Sequence, residues 1–190
     1  MIVKKAYLFA VTAAVAAVAA ATPAAAEGFR AEVHGGWDHV STDGADDDGI
    51  VYGIGAGYDF SIAPNVELGV DLSADLASTK ECETGVLAAG DEACIRAKRD
   101  LAAALRLGYK VSPEGTIYAL AGYTNARVRF DYETAAGVRT RDSANLDGLR
   151  LGAGYQHNFG PAYGKIEYRY SNYEADVTRH QVLVGVGVAF

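Results

Sequence analysis

Val66-Glu67-Leu68-Gly69-Val70-Asp71-Leu72-Ser73-Ala74-Asp75-Leu76 alternates without a break between aliphatic residues and small or acidic ones. A period of two puts each set on one face of a β-strand, because successive side chains point to opposite sides. The stretch before it repeats the pattern, with Ile50, Tyr52, Ile54, Ala56, Tyr58 and Phe60 opposing Val51, Gly53, Gly55, Gly57 and Asp59. Six further segments, at 29–40, 99–110, 116–132, 146–158, 162–173 and 179–190, read the same way, and no helical period survives after residue 26. Each is long enough to cross a bilayer when tilted, which takes about 9–11 residues.

The connections alternate in character. Those at 61–65, 111–115 and 159–161 are short and carry Pro or Gly; those at 41–49, 77–98, 133–144 and 174–178 are mostly longer and hold most of the unbalanced charge. An even strand count with short turns at one end and longer loops at the other predicts an eight-stranded antiparallel up-and-down transmembrane β-barrel, both termini on the short-turn side.

Alternation alone also fits a soluble lipocalin-like barrel with the two faces exchanged. The polar face separates the two. It carries nine acids, among them Glu32, Asp71, Asp131 and Glu167, and nine bases, among them Arg106, Arg127, Arg129, Arg150 and Arg169. A solvent-exposed face has no need of such balance, whereas a narrow interior does, since a buried charge without a partner is expensive. Arginine predominates among the bases, and its planar fork suits confined carboxylates. Glycines between the charges, such as Gly53, Gly154 and Gly187, leave room for long side chains from facing strands. The ionic face is therefore read as the lumen and the apolar face as the lipid contact. Aromatics agree: Tyr58, Phe60, Tyr109, Tyr118, Tyr155 and Phe190 fall near the short turns, and Tyr52, Phe130 and Tyr170 near the loops, as interfacial belts would.

The first 26 residues are an address. Lys4 and Lys5 precede an apolar run at 6–21, Thr22-Pro23 breaks it, and Ala24-Ala25-Ala26 precedes Glu27. This predicts a secretory signal at 1–26, cleaved between Ala26 and Glu27, with the barrel domain at 27–190. An uncleaved anchor is the weaker reading, given the alanine-heavy run and the small-residue site. Removing Lys4 and Lys5 leaves 15 basic residues against 24 acidic ones, a charge of −9. Such a balance argues against nucleic acid as a partner. After export, Cys82 and Cys94 are expected to pair as a disulfide, because no histidine lies near them to build a metal site. No metal, cofactor or catalytic group is expected. The acidic loop at 41–49 lacks the ligand spacing of an EF-hand, and no nucleophile–histidine–acid grouping stands out.

The segments Gly148-Leu-Arg-Leu-Gly-Ala-Gly-Tyr, Lys165-Ile-Glu-Tyr-Arg-Tyr-Ser-Asn-Tyr and His180-Gln-Val-Leu-Val-Gly-Val-Gly-Val-Ala-Phe190 resemble the last three strands of the outer membrane β-barrel domain family. That group comprises small opacity-type and porin-family surface proteins, similar to the transmembrane domain of OmpA. The resemblance implies residence in the outer membrane of a Gram-negative cell, contact with its lipid and lipopolysaccharide, and a monomeric barrel. It makes Phe190 the closing signal for the barrel assembly machinery. It also implies a structural, surface-antigen or adhesive role toward a host or phage ligand, with a salt-bridged lumen. A narrow porin-like channel is the alternative. No peptidoglycan-binding domain is carried over.

Overall fold

The computed structural model describes residues 28–42 and 45–190, so the expected leader and its expected cleavage point at Ala26 and Glu27 lie outside the described residues. Nine strands follow among the described residues: β1 (Phe29–Thr42), β2 (Ala45–Ala63), β3 (Val66–Ala77), β4 (Lys80–Thr84), β5 (Glu92–Lys110), β6 (Gly115–Glu133), β7 (Arg139–Phe159), β8 (Ala162–Tyr173) and β9 (Thr178–Ala189). Every pairing is antiparallel. Eight strands close a ring, because β1 pairs with both β2 and β9, and β3 pairs directly with β5. The ninth, β4, only extends the upper part of β5. Closure removes the edges that an open sheet would leave unpaired in lipid.

The side chains are sorted inside out. Leu105 and Leu149 are 61% and 70% exposed, while their neighbours Arg106 and Arg150 are 2% and 1% exposed. The outward face of β9 continues the pattern with Val182, Val184 and Val186. Aromatics flank this aliphatic band. Phe29, Tyr58 and Phe60 cluster at the short-turn end, and Trp37, Tyr168 and Tyr170 stand toward the other.

The loops differ from expectation. Segments 45–49, 92–98 and 139–145 are strand, so β2, β5 and β7 run past the apolar band as paired ribbons. Backbone amides need partners at any height, but above the lipid both faces are wet, so the apolar alternation that marks a strand in sequence disappears there. The short turns hold as expected, with Gly160 at φ +71° in the β7–β8 turn, a conformation that disfavours a side chain.

Strand β6 corrects the reading of its faces. Tyr118, Leu120, Thr124 and Ala126 are buried inside, whereas Arg127 and Arg129 are exposed and project outward, as does Asp131 on the same parity. Arg127 and Arg129 were expected in the lumen, and Tyr118 and Phe130 on the lipid side. The inversion has a clear cause. The charges of β6 lie on its upper extension, where the outward face meets water, while its lower half is apolar on both parities. Charge position therefore marks height on this strand rather than side.

Candidate functional site

The barrel interior is built in three ionic tiers. At the short-turn end Arg30 donates to Asp59 at 2.6 Å and to Asp71 at 3.1 Å, and Arg106 donates to Asp59 at 2.7 Å and to Gln156 at 3.2 Å. The Arg106 guanidinium also lies 4.1 Å from the centre of the Tyr118 ring, a cation–π contact. Lys110 and Glu67 pair at 2.7 Å at the mouth.

In the middle tier the Lys165 ammonium bridges Glu32 at 2.6 Å and Glu167 at 3.0 Å. Tyr163 donates to Glu32 and Tyr118 to Glu167, and Arg169 joins Glu167 to Asp75. His34 sits between two carboxylates, Nε2 against Asp75 at 2.6 Å and Nδ1 against Glu32 at 3.1 Å. Ionised carboxylates only accept, so the doubly protonated ring is the form that satisfies both contacts.

The upper tier centres on Asp100, which accepts from Arg150 at 2.5 Å, Arg179 at 3.0 Å and Tyr173 at 2.6 Å, and from Thr124. Asp38 accepts from Arg179, Gln181 and Thr79. Arg150 lies 3.5 Å from Asp75 and so links this tier to the one below.

Of the residues singled out from sequence, Glu32, Asp71, Arg106, Arg150, Glu167 and Arg169 are brought together here, and Arg127 and Arg129 are not. Tyr163, Tyr173, Thr124, Gln156 and Gln181 complete the network and were missed. Their signal was available: Tyr163 shares its parity with Lys165 and Glu167, and Gln181 with Arg179. The glycines accommodate neighbours on adjacent strands rather than facing ones. Gly55 lies beside Glu32, Gly154 beside Tyr118 and Gly187 beside Tyr163, each a register pair. An interior cavity lined by Glu32, Arg150, Lys165, Glu167 and Arg169, with others, measures only about 20 Å³, roughly the space of one water molecule.

A second constellation stands on the ribbons above the band. Cys82 and Cys94, register partners on β4 and β5, form a disulfide across a Cα–Cα distance of 4.1 Å. Glu92 lies beside them, but with both sulfurs bonded to each other no thiolate is left to ligate a metal. The outward face of β5, β6 and β7 forms a cleft of about 340 Å³ lined by Arg96, Arg129, Arg139 and Arg141 with Glu92, Asp131 and Glu133. Arg96 and Arg141 share Asp131 at 3.4 and 3.2 Å, and Arg139 holds Glu133 at 2.8 Å. Nearby, Asp91 caps the 85–91 turn. Its carboxylate accepts the amides of Val86, Leu87 and Ala88 at 2.8–2.9 Å and the Tyr132 hydroxyl at 2.7 Å. The Tyr132 hydroxyl first, then those amides, holds the Asp91 carboxyl below its ordinary range, and the carboxylate in turn pushes the Tyr132 phenol up.

Comparison with known proteins agrees with this geometry. The family model for the outer membrane protein beta-barrel domain matches residues 10–190. Among solved structures, the attachment invasion locus protein Ail of Yersinia pestis, in complex with the heparin analogue sucrose octasulfate, superposes with a TM-score of 0.59 at 17% identity, over 86% of this chain and 99% of that one. Neisserial surface protein A gives 0.57 at 17% identity, over 86% and 98%. A major outer membrane protein from Thermus thermophilus gives 0.51 at 14% identity, over 85% and 99%. At such identities the likeness speaks for the fold alone. No curated protein matches the chain.

Proposed function

From the premise that this chain belongs to the outer membrane protein beta-barrel domain family, we propose that it is a structural and adhesive surface protein whose lumen is closed by its own salt bridges. It resides in the outer membrane. The interior network carries the closed-lumen reading, because arginines, carboxylates and tyrosines from all around the ring bond to one another across the lumen, and a cavity among them measures only about 20 Å³. Moving an ion through would require parting several charge-assisted hydrogen bonds at once. Purified protein in planar bilayers is expected to give little or no stable conductance. Large, reproducible unit currents would overturn the closed lumen in favour of a narrow channel.

The arginine cleft supports the adhesive half of the reading. It places four guanidiniums on a chain that is acidic as a whole, on the outward face of the ribbons. Planar donor forks recognise sulfate and phosphate groups in pairs, and Ail, of the same fold, was crystallised with a polysulfated sugar. Host glycan sulfates and lipopolysaccharide phosphates share this chemistry. Vesicles carrying the protein are expected to retain heparin, and the Arg129→Gln/Arg141→Gln pair to lose at least tenfold in affinity. Equal retention by both would remove the cleft from the role. No catalytic part is assigned, because the reading rests on the outer membrane beta-barrel family. In the cell we infer monomeric barrels, delivered by the barrel assembly machinery through the closing strand.

A further inference from the structure

On the outward face, at the loop end of the barrel, one transverse row crosses four neighbouring strands. Asp48 on β2 is the register partner of His39 on β1; His39 is the partner of His180 on β9; His180 is the partner of Tyr170 on β8. Residues directly opposite on adjacent strands carry their Cβ atoms about 4.5–5.5 Å apart, so the two imidazoles stand side by side, with ring centroids 6.2 Å apart.

The hydrogen bonds decide how those rings are turned. His39 Nδ1 meets the Asp48 carboxylate at 2.9 Å, on the β2 side. His180 Nδ1 meets the Tyr168 hydroxyl at 2.6 Å, on the β8 side. The two nitrogens of an imidazole flank Cε1 and point in widely diverging directions. With each Nδ1 engaged on the side away from the β1–β9 seam, Nε2 is the nitrogen that each ring leaves for a ligand at the seam. Trp37 stacks on His39 at 5.5 Å and Tyr170 lies 5.0 Å from His180, which limits rotation of both rings.

We propose that His39 and His180 form a surface site for a borderline divalent cation such as Zn²⁺, Ni²⁺ or Cu²⁺, bound through their two Nε2 atoms. Rings 6.2 Å apart lie within reach of one cation at about 2.0–2.1 Å from each nitrogen, and a tetrahedral angle at the metal requires them to close slightly. Imidazole is the ligand these metals prefer over hard cations. Asp48 and Tyr168 are positioning residues: the Asp48 carboxylate, which only accepts, sets the tautomer and orientation of His39, and the Tyr168 hydroxyl orients His180, accepting from its Nδ1–H when Nε2 binds the metal, the arrangement that outer-shell partners make around metal-bound histidines. The remaining coordination positions face the outer surface and take water.

Untagged protein refolded in detergent tests this by titration with Ni²⁺ and with Zn²⁺, read by calorimetry and by the histidine ring proton signals. One equivalent is expected to bind and to shift the His39 and His180 resonances together. His39→Ala and His180→Ala should each weaken binding at least tenfold, Asp48→Asn and Tyr168→Phe about tenfold or more, and His157→Ala not at all. Each variant's heat-dependent gel migration reports whether its barrel is folded. If either His39→Ala or His180→Ala binds as the parent does, or if the two resonances respond at separate metal concentrations, the shared site is wrong. The Asp48 and Tyr168 variants keep both ligands, so a loss there with a folded barrel speaks for the oriented pair.

Discussion

Asp100 shows what a single side chain does in this interior. It is 1% exposed and accepts hydrogen bonds from Arg150, Arg179, Tyr173 and Thr124, which come from β7, β9, β8 and β6. Asp100→Asn keeps the shape but removes the charge, leaving two buried guanidiniums short of a partner. Breaking a buried pair this way costs about 3–5 kcal/mol. Urea unfolding from detergent or vesicles should show that loss for Asp100→Asn, whereas Arg127→Gln, exposed above the band and hydrogen-bonded to Ser143, should stay within about 0.5 kcal/mol of the parent. The glycines act at the same scale. A Cβ at Gly53 would lie 2.2 Å from an Asp75 oxygen and 2.6 Å from the Ala74 carbonyl, so the register leaves space there only for hydrogen.

At the scale of the element, the ribbons above the band obey different rules from the strands below. The β4–β5 ribbon is joined by the Cys82–Cys94 disulfide and by the Asp91 cap, with little apolar burial of its own. The folded Asp91 carboxyl titrates below its ordinary value of 3.8, chiefly because Tyr132 donates to it. The bonus from the cap is therefore complete above 3.8 and is lost as the pH falls through the lower folded value. Hydrogen exchange should show protection of the Val86, Leu87 and Ala88 amides at neutral pH that collapses in acid. Asp91→Asn should remove the pH dependence of that protection. The barrel strands should keep their protection throughout. Strand β6 joins both regimes, and this is why its faces are misread in one dimension: its lower half alternates weakly, and its charges sit where water reaches the outward side.

Across the whole molecule, charge is sorted by place. With Arg127, Arg129 and Asp131 outside, the interior keeps eight carboxylates and seven cationic side chains, and His34 stands between two of the carboxylates as the eighth. The excess acid is carried by the turns and ribbons. Closure of the ring depends on β1 and β9, and it extends to the last residue: the Phe190 amide donates to Phe29 and its carbonyl accepts from Gly28. These are main-chain contacts, which a substitution leaves in place. Phe190→Ala is expected to shift the unfolding free energy of refolded protein by only about 1 kcal/mol, yet to lower the amount assembled in cells several-fold if the side chain is what the assembly machinery reads. Equal assembly of the two would remove that role from Phe190.

What the sequence determined alone is the set of crossing strands and their alternation, because lipid imposes a period of two wherever it touches the wall. Val66 to Leu76 announces both faces of β3, and the parity shared by Lys165, Glu167 and Arg169 announces the lumen. Three things were decided only in the folded chain. Where β5 and β7 end depended on backbone pairing that continues after the apolar signal has stopped. The side on which β6 puts Tyr118 and Arg127 depended on height above the membrane. The meeting of Asp100 with Arg150 and Arg179, and of His39 with His180, depended on register, because it is ring closure that brings residues 50 to 141 positions apart in sequence within hydrogen-bond reach.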